Sequence, residues 1–204
     1  MSLQQEETAL VNAGSKIRVR IDAGEYMLRT LEEHDASARW AEWSADPELC
    51  HALNLAARKM TLGEIRSYIR GFDQISKLLW GVFDVKTEKH IGFFTIQADY
   101  ERSRGLVNLL IGEPEYRNRR VLSTVRRPFA IYFFETLGLR TMMSTVLVRN
   151  EIIVKSHLKA GWHIELLLER HLVDQAGGPK LDVYLMALSR ETWRARNNYP
   201  ISDP

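Results

Sequence analysis

The sequence predicts an α/β domain built as one mixed layer structure, and three features predict it. Runs of alternating apolar and polar residues, the mark of strands, are interspersed with segments whose apolar residues recur at helical spacing. The composition is that of a globular chain, with 204 residues of which 45% are hydrophobic and 26% charged, long enough to bury a sizeable core. No repeat or low-complexity segment divides it, so one domain is expected over residues 16–204, preceded by a polar stretch, 1–15, that reads as a flexible tail.

The elements follow in order. In KIRVRIDAGEYMLRTL (16–31), Ile17, Val19 and Ile21 alternate with Arg18 and Arg20, a turn signal stands at Asp22-Ala23-Gly24, and Tyr26, Leu28 and Thr30 begin a second strand. From Glu33 to Asn54 the spacing is helical: Asp35 is a candidate cap, and Trp40, Trp43 and Leu49 share a face across the break at Asp46-Pro47. Thr61 with Glu64 reads as a capping box opening a helix through Ile65, Tyr68, Ile69 and Phe72. Strands are expected at 78–85 and 90–99, joined by the turn 86–89, and at 105–112. Residues 123–137 are helical up to Gly138, 141–148 is a strand, 150–159 a helix, and 162–173 and 181–188 are strands about the turn Gly177-Gly178-Pro179.

Charge and cysteine usage narrow the function classes. With 28 basic and 26 acidic residues the net charge is +2, too small to point to a nucleic-acid or membrane partner. The one cysteine, Cys50, excludes an internal disulfide framework and fits a reducing compartment; its apolar neighbours in WAEWSADPELCHAL make it a core residue rather than a nucleophile. No apolar run could span a bilayer and the first residues lack a secretory apolar region, so a cytoplasmic protein is expected.

Five pieces of sequence, in order, resemble the GNAT acyltransferases, in particular the Rim-type enzymes that acetylate ribosomal-protein N-termini. These are YMLRTLEEHDASARW with DPEL, HIGFFTI, EPEYRNRR, FFETLGLR and NEIIVKSHLKAGW, with LMALSRETW closing the match. The resemblance implies a GNAT fold: a central mixed, mostly antiparallel sheet flanked by helices, here with an extra N-terminal strand or hairpin. It also implies transfer of an acetyl or other acyl group from acyl-CoA to a primary amine, on a protein N-terminus or a small molecule, without a metal.

Each chemical requirement of that reaction can be set against these residues. Pyrophosphate fits a helix N-terminus, where unpaired N–H groups and the helix dipole attract anions. The resemblance places this site at Arg117, Asn118, Arg119, Arg120, Val121 and Leu122, but Arg120 and Leu122 stand where the family has small residues. Two readings stay open. Either a backbone nest survives, with helical or near-helical φ angles, and the arginines add contacts to phosphate. Or the side chains fill the phosphate volume and the loop is a basic surface. Pro128 either breaks a hydrogen bond inside this helix or marks the first turn of one that starts late.

The family's general acid, a tyrosine, aligns with His157, and Asn150 matches a position that contacts the cofactor arm and also suits a helix cap. The family's carboxylate position is Val107, which takes no proton, leaving Glu113, Asp99, Glu101 and His90 as alternatives; holding a neutral amine against a thioester polarised by a backbone N–H can suffice. Two other readings remain: a non-catalytic GNAT-fold binding module, and an acyltransferase whose donor is an acyl carrier protein with an acidic surface suited to the arginines. The N-terminal hairpin can extend the sheet or pair two subunits as a homodimer.

Overall fold

The computed structural model describes residues 16–117 and 119–198; the stretch 1–15, read above as a flexible tail, and Asn118 lie outside the described residues. Strand β1 (Arg20–Ala23) turns into β2 (Tyr26–Thr30) at Gly24, whose φ is +72° and whose N–H donates to Asp22 Oδ1 at 2.7 Å. That left-handed backbone costs glycine little, so the turn is written locally. Regular pairing starts at Arg20 rather than Lys16, although Ile17 and Val19 are already buried.

The stretch after β2 breaks into three pieces: a 3₁₀ turn (Glu33–Asp35), α1 (Ala38–Trp43) and α2 (Pro47–Leu53). Asp35 caps neither helix. Its carboxylate takes two hydrogen bonds from Arg29, at 2.9 and 2.6 Å, and Ser37 caps α1 by accepting the Trp40 N–H at 3.2 Å. Asp46 caps α2 from the Leu49 N–H at 3.0 Å, with Pro47 in the first turn, where a missing N–H costs nothing. The capping box of α3 (Leu62–Arg70) forms in both directions between Thr61 and Glu64.

The remaining strands are β3 (Lys77–Asp84), β4 (His90–Asp99), β5 (Arg104–Ile111), β6 (Thr141–Leu147), β7 (His163–Leu172) and β8 (Leu181–Ser189). They form one eight-stranded sheet in the order β1-β2-β3-β4-β5-β6-β8-β7, and every neighbouring pair is antiparallel except β5 with β6. The N-terminal hairpin therefore extends the sheet.

One face packs on α4 (Val121–Ile131), its π-helical continuation Tyr132–Thr136, and α6 (Arg190–Asn197), with Trp80, Phe94, Phe129, Phe133, Met186 and Trp193 buried in that core. The other face buries Trp40, Trp43, Ile65, Ile69 and Phe93 beneath α1 and α3. Each such side chain contributes roughly 1.5–3 kcal/mol, so the tryptophan stripe is accounted for by packing. Helix α5 (Glu151–Lys159) follows β6. Helix α6 is absent from the sequence reading; its local signal is Ser189, whose hydroxyl accepts the Thr192 N–H at 3.0 Å.

Pro128 lies inside α4, which starts at Val121, so the late-start reading does not hold. The ring removes the bond to the Thr124 carbonyl, and a turn later the helix widens into the π segment, closed by Leu137 N–H on the Tyr132 carbonyl at 2.9 Å. Among the described residues no helix is long and apolar enough to cross a membrane.

Candidate active site

The parallel pair is where the sheet opens. β5 pairs with β4 over eight residues and β6 with β8 over seven, yet β5 and β6 pair only through Arg104–Thr141, Gly105–Met142 and Leu106–Met143. Beyond Leu106 the strands diverge and leave a cleft. Gly112 N–H donates to the Ile91 carbonyl at 2.9 Å, which fixes the alternation of the ladder: even residues of β5 bond toward β4, and Val107, Leu109 and Ile111 turn their backbone groups toward the cleft.

Both arms of the cleft are fastened to α2. On the β5 side, Arg117 donates to the Ile111 carbonyl at 3.3 Å, to the Gly112 carbonyl at 2.8 Å and to Asp46, the α2 cap, at 2.7 Å. On the β6 side, Arg149 donates to the His51 carbonyl at 2.8 Å, and Asn54 exchanges hydrogen bonds with Val173 and Gln175 in the β7–β8 loop. Arg117 is 19% exposed and spends its guanidinium on this fastening.

The other arginines divide. Arg119 lies over the Tyr116 ring at 4.9 Å. Arg120 is exposed, forms the N-cap of α4 without a side-chain bond to it, and has φ +53° and ψ +19°. That is a left-handed residue, so the reading with helical φ throughout the loop does not hold at this position. The backbone takes the turn that a glycine would take and carries a side chain there at a cost of about 1 kcal/mol. Val121 is buried at the first turn and Leu122 is half-buried. Arg120→Gly is expected to raise the melting temperature by about 2–4 °C, read in a thermal scan, because it relieves that backbone.

Across the cleft, Asn150 caps α5 by accepting the Ile153 N–H at 3.4 Å. His157 lies about two turns further along, its ring 4.6 Å from Trp162. Its Nδ1–H donates to the Ile153 carbonyl at 3.0 Å, so Nε2 presents a lone pair. Burial, and secondarily the nearby Arg126 charge, push its pKa down to about 4. At neutral pH it is an acceptor, whereas protonating a thiolate requires a donor, so the general acid that the resemblance implies at this position is not its resting state.

The candidate bases separate as well. Asp99 and Glu101 stand at the β4–β5 turn, at the closed end of the cleft, where Asp99 meets Arg102 and Arg104. Glu113 stands at the open end and is 1% exposed. It takes Arg39 Nε at 2.5 Å and Nη2 at 2.9 Å, and Trp43 Nε1 at 3.1 Å. Burial alone would raise its pKa, but the Arg39 and Trp43 bonds outweigh it and hold the carboxyl below its usual range. His90 is packed among Trp40, Trp43 and Phe83, donates Nε2–H to the Gly92 carbonyl at 2.9 Å, and is pushed by burial to about 4. Val107 is buried and Cys50 is buried with its thiol pKa raised by burial, so neither contributes a proton carrier. Sequence reasoning missed the cleft-facing N–H row and the α2 fastening, and it counted Arg126 only as one of the five arginines between Arg117 and Arg127.

Comparisons with known proteins agree with the fold. A family profile described as "Acetyltransferase (GNAT) domain" matches residues 26–163. Among solved structures, the chain resembles a spermidine N-acetyltransferase from Vibrio cholerae in complex with CoA and spermine (TM-score 0.72, 19% identity, 83% of this chain and 98% of that one). It also resembles a GNAT-family acetyltransferase from Bacillus anthracis (0.71, 17%, 85% and 99%) and the ribosomal-protein-S5-alanine acetyltransferase from Vibrio fischeri (0.69, 18%, 86% and 98%). Curated protein sequences give no match.

Proposed function

Because the chain belongs to the GNAT family of acetyltransferases, we propose that it is an N-acyltransferase that moves an acetyl or other acyl group from acyl-CoA to a primary amine by direct attack. The observation that carries this reading is Arg120: its left-handed backbone retains the turn into α4, so the helix N-terminus is still presented as an anion site although the family's small residues are gone. The diphosphate sits at the first turn of α4, among Arg119, Arg120, Val121 and Leu122, with Asn118 between Arg117 and Arg119. Arg117 serves indirectly by holding the β5 arm. Asn150 offers its amide N–H groups to the donor's arm while its oxygen caps α5.

The thioester carbonyl is polarised by an N–H of Val107 or Leu109 on the open edge of β5, where β6 no longer pairs. The amine attacks as the free base, the tetrahedral intermediate collapses, and the sulfur leaves as thiolate and takes up a proton. His157 rests unprotonated at Nε2 and its proton affinity is lowered, so it takes the proton that the amine sheds only in passing and, once protonated, gives it up readily to the departing sulfur. The acceptor class is a protein N-terminus or a small amine, and the single buried thiol is in keeping with a reducing cytoplasm.

A second reading, with the acyl group borne by an acidic carrier protein, is favoured by one feature. Arg20 and Arg127 flank a groove of about 420 Å³ floored by Ile21, Pro128, Ile131 and Tyr132 beside α4. Calorimetric titration with acetyl-CoA, and separately with CoA, decides between the two. Saturable binding at micromolar concentration supports the CoA enzyme; no heat and no thermal shift up to millimolar ligand sinks it. In the same titration Arg120→Gly is expected to weaken CoA severalfold through loss of one charge-assisted contact, whereas tighter binding would mean that the side chain obstructs the site.

A further inference from the structure

Between α4 and α5 lies a cation that the fold does not answer. Arg126 is half-buried, and its one hydrogen bond among the described residues runs from Nη2 to Ser156 Oγ at 3.1 Å. A guanidinium carries five N–H donors and keeps its charge at any physiological pH, so most of its donors and all of its charge are left over. Elsewhere the chain meets such residues with carboxylates: Arg29 has Asp35, Arg117 has Asp46 and Arg194 has Glu135. Arg126 has none among the described residues, and burial disfavours its charged form. It stands six residues after the N-cap, about 9 Å along α4, on the side that faces Ser156 and His157.

We propose that Arg126 forms an anion subsite for a phosphate of the donor, and that an anion seated there cancels the positive charge Arg126 presents to His157. The inference rests on the reading of the donor as acyl-CoA and adds to it a residue outside the loop that enters α4. Of the charged groups around the imidazole, Lys155 pairs with Glu151 on the same helix and Arg196 from α6 donates to the Lys159 carbonyl. Arg126 on α4 is the charge that acts on the ring. Arg126 is therefore a positioning residue: it fixes the donor and, once paired, lets Nε2 of His157 hold a proton that the empty site repels. Donor binding thus removes one of the two influences that keep the proton off the relay, burial being the other.

The test joins calorimetry to an NMR titration of His157, assigned by its loss in His157→Asn. In the wild type, saturating CoA is expected to raise the proton affinity of His157 about tenfold or more. In Arg126→Gln, which can still bond Ser156, the empty-site affinity for the proton is expected to rise, CoA to bind about 10- to 100-fold more weakly, and saturating CoA to leave the His157 titration nearly unmoved. Arg126→Lys, which keeps the charge without the fork, should fall between in CoA affinity and retain the His157 response, and it replaces the glutamine variant if that one does not fold. Equal CoA affinity in wild type and Arg126→Gln overturns the subsite alone. Weakened binding with an unchanged His157 response overturns the coupling. A wild type that binds no CoA overturns the donor reading and this inference together.

Discussion

Replacing Glu113 by alanine is expected to lower the unfolding free energy by about 3 kcal/mol. Removing one partner of a buried ion pair typically costs about 3–5 kcal/mol, because the other charge is stranded. Here Arg39 is 49% exposed and can turn to water, which places the loss at the low end. Trp43 Nε1, buried with it, has no such escape. The effect carries a pH signature. The folded protein holds the Glu113 carboxyl below its usual range, so the stability it supplies is present above the unfolded carboxylate value of about 4.3 and is lost as pH falls through the lower folded value. Urea midpoints of wild type and Glu113→Gln should differ most near pH 7 and converge in acid. A gap independent of pH would mean that shape, not charge, accounts for the loss.

Gly112→Ala is expected to be at least as damaging, about 3 kcal/mol or more, and to leave little soluble protein. An alanine Cβ would lie 2.0, 2.4 and 2.5 Å from three carbons of the Trp43 ring. Trp43 is 3% exposed and tied through Nε1 to Glu113, so it cannot turn aside without breaking that bond. The two sites are therefore coupled, and Trp43→Leu in the Gly112→Ala background should recover part of the loss even though Trp43→Leu alone destabilises. Chemical denaturation of the four proteins of this cycle measures the coupling; additive losses would place the strain elsewhere.

The fold was legible wherever a residue's role depends on its near neighbours. Thr61 with Glu64, the Asp22-Ala23-Gly24 turn and Asn150 before α5 were read correctly because each makes its bonds within three residues. Asp35 caps only the 3₁₀ turn, by accepting the Glu32 N–H, and not the helix that follows, because Arg29 in the preceding strand holds the rest of its carboxylate. Helix α6 escaped because its eight residues carry one apolar anchor, Trp193, too few to show a period. The site was harder. Arg117 reads as a phosphate ligand until Asp46, 71 residues away, is seen beside it, and Glu113 is a candidate base until Arg39, 74 residues away, fills it. Arg120 shows the opposite limit: the missing glycine was visible, but the φ of +53° that the fold still imposes was not.

The three-residue seam between β5 and β6 makes the sheet behave as two panels joined at one end. From Leu106 to Ile111 the β5 panel reaches about 17 Å past the seam, so each degree of rotation there moves its tip by about 0.3 Å. A reaction that tolerates well under 1 Å of misplacement cannot leave that angle free. The bonds from Arg117 to Asp46 and from Arg149 to the His51 carbonyl act at the two tips, where leverage is greatest and small forces suffice. A short helix with a few polar contacts thus works as a spacer bar, setting the width between a row of N–H groups and a histidine on opposite panels.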